Sequence, residues 1–152
     1  LKEHEMIMKM VRQTLIAAAI CLPAAGAHAT EDIPAITLNM RPPQDLQLRD
    51  GMVIGRGQVF FQEQHSGYQV WLDSRKRSTA PARYVLTGKR NPAHQMRVRL
   101  AGEGWSAENK NNGGIVSATA DTRINFDIVV DGSQQAEADE YVIAASAAAI
   151  VP

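Results

Sequence analysis

Residues 141–151 read YVIAASAAAIV, and whether they form a helix or a strand decides the fold. Ala144 to Ala149 (AASAAA) would ordinarily favour a helix, because alanine is the best helix former. The run opens, however, on the β-type trio Tyr141-Val142-Ile143 and closes on Ile150-Val151 ahead of Pro152. We read a strand. One face then carries Tyr141, Ile143, Ala145, Ala147, Ala149 and Val151, whose small members leave a shallow trough beside the strand.

Upstream of this segment, period-two alternation dominates and no 3.6-residue pattern is sustained. Ile36, Leu38 and Met40 alternate with Thr37 and Asn39, and Tyr68, Val70 and Leu72 with Gln69, Trp71 and Asp73. Met96, Val98 and Leu100 alternate with arginines, as Ile124, Phe126, Ile128 and Val130 do with Asn125, Asp127 and Val129. Val53–Gln62 and Arg83–Thr87 complete the set. Asp50-Gly51, Ser66-Gly67, Asn91-Pro92, Asn112-Gly113-Gly114 and Asp131-Gly132 mark the turns between them. Seven short strands with turns about every ten residues predict an all-β sandwich. Gly55-Arg56-Gly57 inside the second strand marks a bulge or a close backbone approach.

The beginning of the chain has a different character. Lys9 and Arg12 precede an apolar run, Leu15–Leu22, too short to span a bilayer, and Ala27-His28-Ala29 offers the small-x-small pattern of a cleavage site. Residues 1–29 are therefore expected to be upstream sequence and a cleaved export signal, with residues 30–152 as one folded domain. That domain carries 13 basic and 14 acidic residues, a balance that excludes a sequence-blind nucleic-acid binder. Cys21 is the only cysteine, so the domain has no disulfide and no thiolate metal site or nucleophile.

QLRDG at 47–51, HSGYQVWL at 65–72, MRVRLAGEGWS at 96–106 and DEYVIAASAAAIVP at the C-terminus occur in that order behind the signal. Together they resemble the AfaD/DraD invasin family of chaperone–usher fimbriae, over nearly all of residues 36–152. The resemblance implies an incomplete immunoglobulin-like β-sandwich lacking its last strand. A periplasmic chaperone lends that strand during export, and a neighbouring pilin subunit later replaces it with its own donor strand at the outer-membrane usher. The acceptor groove would be lined by Ile36, Leu38 and Met40 on one side and Tyr141, Ile143, Ala145, Ala147, Ala149 and Val151 on the other. Tyr141 is then either a tyrosine corner or an ordinary half-buried strand tyrosine. Where family members are expected to carry a disulfide, this chain has Phe61 and Ala149.

Catalytic readings find little support. His65 and His94 sit beside turns, Ser66 points away from His65, and no HExxH, GxSxG or phosphate-binding motif occurs. No catalytic residue, metal or cofactor is expected. Charge is segregated instead: residues 74–102 hold eight basic residues and no acid, whereas residues 121–140 hold six acids and Arg123. The basic run is either a solvated, gatekept face or a patch for an acidic host surface. The candidate receptor face comprises Trp71, Asp73, Arg75, Lys76, Arg77, Arg97 and Arg99, with Trp71 either an exposed anchor or covered by a loop. The receptor itself is not written in the sequence. Trp105 is expected to plug the end of the core.

The sequence thus points to an adhesive or invasin-type tip subunit, exported through the periplasm to the fimbrial surface. A structural shaft subunit and a self-sufficient secreted binding domain are the alternatives.

Overall fold

The alternation read from the sequence becomes strand geometry almost position by position. In this computed structural model residues 33–43, 45–76, 80–110 and 112–152 are described, with two further strands at 3–10 and 15–22; for those two and for residues 75–76 only the backbone is described. The strands are β1 (Glu3–Met10), β2 (Leu15–Leu22), β3 (Ala35–Met40), β4 (Gln47–Leu48), β5 (Val53–Phe60), β6 (Gly67–Leu72) and β7 (Arg75–Lys76). They continue with β8 (Arg83–Thr87), β9 (Gln95–Ala101), β10 (Ser106–Ala107), β11 (Ile115–Ser117), β12 (Arg123–Val130), β13 (Gln134–Gln135) and β14 (Glu140–Ile150). No helix occurs among the described residues.

Two six-stranded sheets hold the molecule, ordered β10-β11-β6-β14-β1-β2 and β3-β5-β12-β9-β8-β7, with β4 and β13 as a small separate pair. In β9 the rule is plain: Met96, Val98 and Leu100 are buried, while Arg97 and Arg99 between them stay half-exposed. Tyr68, Val70 and Leu72 of β6 meet Ile36, Ile54, Phe126, Ile128, Tyr141 and Ile143 in one continuous core. The alanine run of β14 is a strand because of what stands opposite it. Ala145, Ala147 and Ala149 pair with Leu72, Val70 and Tyr68 of β6, so each small residue faces a large one. Tertiary pairing outweighs the helix propensity of alanine.

The glycines of β5 serve both expected purposes. The register with β12 shifts between Ile128, opposite Gly55, and Val129, opposite Val53, so Ile54 forms a bulge. Gly57 faces inward, where any Cβ would run into the Phe126 ring; one on Gly55 would meet the Met40 sulfur. The short strands β4, β7, β10, β11 and β13 were not anticipated, since two or three residues carry no readable period.

Candidate strand-acceptor groove

β14 is long, at 11 residues, and pairs on one side with β6. β3, the edge strand of the second sheet, packs against β14. Ile36, Leu38 and Met40 of β3 are 0%, 4% and 5% exposed, and Tyr141, Ile143, Ala145 and Ala147 of β14 are fully buried. The structure therefore brings seven of the nine expected groove residues onto facing walls. Ala149 is half-buried at the rim. Val151 is a correction: β14 ends at Ile150, paired with Gly67, and Val151 lies beyond it, 58% exposed. The last tie of the strand is the Ser66 amide donating to the Ile150 carbonyl at 2.7 Å, and Val151 follows it ahead of Pro152.

A strand of the chain itself lies along the other edge of β14. β1 runs antiparallel to it, from Glu3 opposite Ser146 to Lys9 opposite Glu140. β2 pairs in turn with β1, and both lie beside β3. The edge of β14 opposite β6 thus takes an antiparallel strand beside β3.

The entry to β14 is fixed by two polar ties. The buried Tyr141 hydroxyl donates to the Glu137 carbonyl at 2.8 Å, the geometry of a tyrosine corner. Burial pushes this phenol up to about 12, with Asp139 and Glu137 adding to the effect. Asp139 is 1% exposed and accepts from the backbone amides of Arg90, Asn91 and Glu140 and from His94 Nδ1 at 2.9 Å. Burial acts to raise its carboxyl, but those donors outweigh it and hold the pKa at about 2. An isolated bridge between Gly88 and Tyr141 joins the two sheets at this corner. Nothing in the sequence singled out Asp139, because its partners come from the distant 90–94 turn.

An antiparallel sandwich closed by a long last strand with a cornered tyrosine is the fold set beside known proteins. The family model of the Enterobacteria AfaD invasin protein matches residues 44–147. Protein AfaD of Escherichia coli is 33% identical over 116 residues, covering 76% of this chain and 78% of that protein. The chain belongs to the AfaD invasin family. Among solved structures, the Salmonella SafD adhesin is similar at 33% identity and a TM-score of 0.71, over 78% of this chain and 85% of its own. The HdaB minor tip subunit of the E. coli Hda pilus is similar at 28% identity and 0.74, over 79% and 85%. HdaB is a minor tip subunit and SafD an adhesin, and this chain is an adhesin-type fimbrial subunit with an incomplete immunoglobulin-like fold.

Of the candidate receptor face of this AfaD-family chain, the side chains of Trp71, Asp73, Arg97 and Arg99 are among the described residues. Of the two readings of Trp71 the structure shows the covered one: it is only 7% exposed, because the Gly113-Gly114 turn closes over it and Gly113 receives the Gln69 amide at 2.8 Å. A covered indole cannot serve as a surface anchor. Asp73 is exposed and accepts from the Ser146 hydroxyl. Arg77 and the side chains of Arg75 and Lys76 lie outside the described residues. Arg99 is held by Asp50 at 2.7 Å and Asp131 at 3.2 Å, and Arg83 reaches Asp131 at 3.8 Å. Lys89 pairs with Glu140 at 3.9 Å. The basic and acidic segments therefore meet and partly neutralise one another. Arg97 is half-buried beside the Gly132 turn.

The remaining singled-out residues have structural partners. His65 is 5% exposed, with ring nitrogens 2.7 and 2.8 Å from the Glu63 and Asp121 carbonyls. Its ring lies between Phe61 and Tyr68, and Tyr68 pairs with Ala149. The positions expected to hold a family disulfide are thus occupied by an aromatic cluster and the rim alanine. Trp105 packs edge-on against Phe126, and its indole donates to the Asn125 carbonyl at 2.7 Å, closing the core where β9 has ended.

Proposed function

We propose that this chain is a fimbrial tip subunit that accepts a donor strand between β3 and β14, works without catalysis, and contacts a host surface. The observation carrying this reading is the β1–β14 ladder beside β3: the edge of β14 takes an antiparallel strand between two apolar walls. Cleavage after Ala29, at a site outside the described residues, would remove β1 and β2 and open that edge. A periplasmic chaperone, and then a neighbouring pilin at the usher, would fill it. Four or five apolar anchors at ~1.5–3 kcal/mol each give roughly 6–15 kcal/mol before entropy costs.

Tip placement follows from chain length. After such cleavage, residues 30–34 alone would precede β3, which starts at Ala35. At ~3.3 Å per residue they reach about 17 Å, short of a donor segment for an 11-residue strand. The test mixes the exported subunit with a second strand-deficient copy and with a donor-bearing pilin. Addition only as an acceptor is expected; long homopolymers through its own N-terminus would overturn tip placement. N-terminal sequencing of exported material should begin at Thr30, and a retained Leu15–Leu22 segment would refute the cleavage.

A further inference from the structure

The outer face of the β3-β5-β12 layer carries a feature that neither strand acceptance nor the core requires. Side chains stand there in three cross-strand rows. Ala35, Phe60 and Arg123 form one row, Thr37, Gln58 and Asn125 the next, and Asn39, Arg56 and Asp127 the third. Strands lie about 4.8 Å apart, so neighbours within a row are one hydrogen-bonding reach from a common ligand. Beside the last row, where β9 ends at Ala101, the Gly102-Glu103 turn rises and converts the face into a cavity of about 620 Å³. That volume lies within the ordinary range of small-ligand sites.

Its chemistry is specific. Gln58 Nε2 donates to Asn125 Oδ1 at 3.2 Å, which leaves the Gln58 carbonyl oxygen as an acceptor and the Asn125 amide nitrogen as a donor, side by side. The Asn125 main chain is itself fixed, because the Trp105 indole holds its carbonyl. Thr37 adds a hydroxyl to the same row. The charges cancel: Arg56 and Arg123 are answered by Asp127 and Glu103, and Arg56 lies 3.8 Å from Asp127. Arg123 is also laid over the half-buried Phe60 ring, 5.0 Å from its centroid.

We propose that this trough binds a neutral oligosaccharide. A paired acceptor and donor on adjacent amides match the vicinal hydroxyls of a sugar ring, each hydroxyl being both donor and acceptor. The balance of two cations and two carboxylates favours an uncharged ligand over a sialylated or sulfated one. A protein hot spot would instead show an apolar or aromatic centre, which this trough lacks. The inference deepens the adhesive part of the proposed function and rests on it.

The subunit, held by its chaperone or in the assembled fibre, is offered a printed array of neutral, sialylated and sulfated oligosaccharides. Neutral probes should be retained, and Asn125→Ala and Gln58→Ala should each weaken retention at least tenfold. Both variants lie on the outer face and should be captured by the chaperone as the parent is. No retention of neutral probes, retention of acidic probes alone, or retention unmoved by both variants overturns the proposal. The capture assay reports the acceptor groove and the array reports the trough, so failure of either reading shows separately.

Discussion

Asp139 gives the clearest consequence at the scale of single residues. Its carboxylate gathers three backbone amides and the His94 ring, and its pKa of about 2 lies below the ordinary 3.8. A depressed carboxyl contributes stability that is fully present above the ordinary value and drains away as pH falls toward the folded one. Urea denaturation of the donor-complemented subunit should therefore weaken between pH 4 and pH 2. Asp139→Asn places an amide nitrogen against donors; it should cost ~2–3 kcal/mol at pH 7 and flatten that acid dependence. Unchanged acid dependence in the variant would dismiss the assignment. Tyr141→Phe removes only the bond to Glu137 and should cost ~1 kcal/mol by the same measurement. Both roles differ in how far the sequence revealed them. The tyrosine corner is local, with donor and acceptor four residues apart, and one of its two readings was available from the sequence. Three of the four Asp139 ties span 45 to 49 residues, and no local pattern encodes them.

Strands were legible wherever alternation ran for five residues or more, and β3, β5, β6, β8, β9, β12 and β14 all emerged within two residues of their expected ends. Inward and outward faces followed from the same period. The candidate groove was legible for that reason, since its two walls are one face each of β3 and β14. Trp71 shows what alternation leaves open. It puts the indole on the outer face of β6, exposed or covered by a loop, and the fold decides for cover by the Gly113-Gly114 turn. Two substitutions test the elements. Gly57→Val drives a side chain into the Phe126 ring and should cost ~2–3 kcal/mol, read as a lower denaturation midpoint. Ala147→Asp puts a charge on the inner face of β14 opposite Val70 and should abolish chaperone capture. Because that change also touches the core, Ala149→Asp at the half-buried rim is the companion: capture should fall there while the subunit remains soluble and folded. Normal capture by both variants would remove the groove.

At the scale of the molecule, the two charged segments are partly paired among the described residues. Asp131, 3% exposed, receives Arg99 and Arg83, so arginines of β8 and β9 are tied to the end of β12. The segregation of charge along the sequence was real, but the strand order that brings β8, β9 and β12 together could not be read from it. Attachment to a host surface should therefore depend weakly on salt. Between 50 and 200 mM, retention of fimbriated cells on host glycans is expected to change less than twofold, and a tenfold loss would restore the basic-patch reading.

The length of β14 also bears on how such a tip would behave under flow. A donor strand lying along it would be loaded parallel to its own axis when the fibre is pulled. The ladder would then be sheared, with many hydrogen bonds sharing the load at once, rather than peeled open one pair at a time. The bridge between Gly88 and Tyr141 pins the start of that ladder to the opposite sheet, whereas its other end is tied only within its own sheet region, by Ser66 to the Ile150 carbonyl, with Val151 exposed beyond. Rupture should accordingly begin at the Ile150 end. The attachment that holds a bacterium against drag would thus depend on a row of alanines whose smallness lets the borrowed strand lie flush.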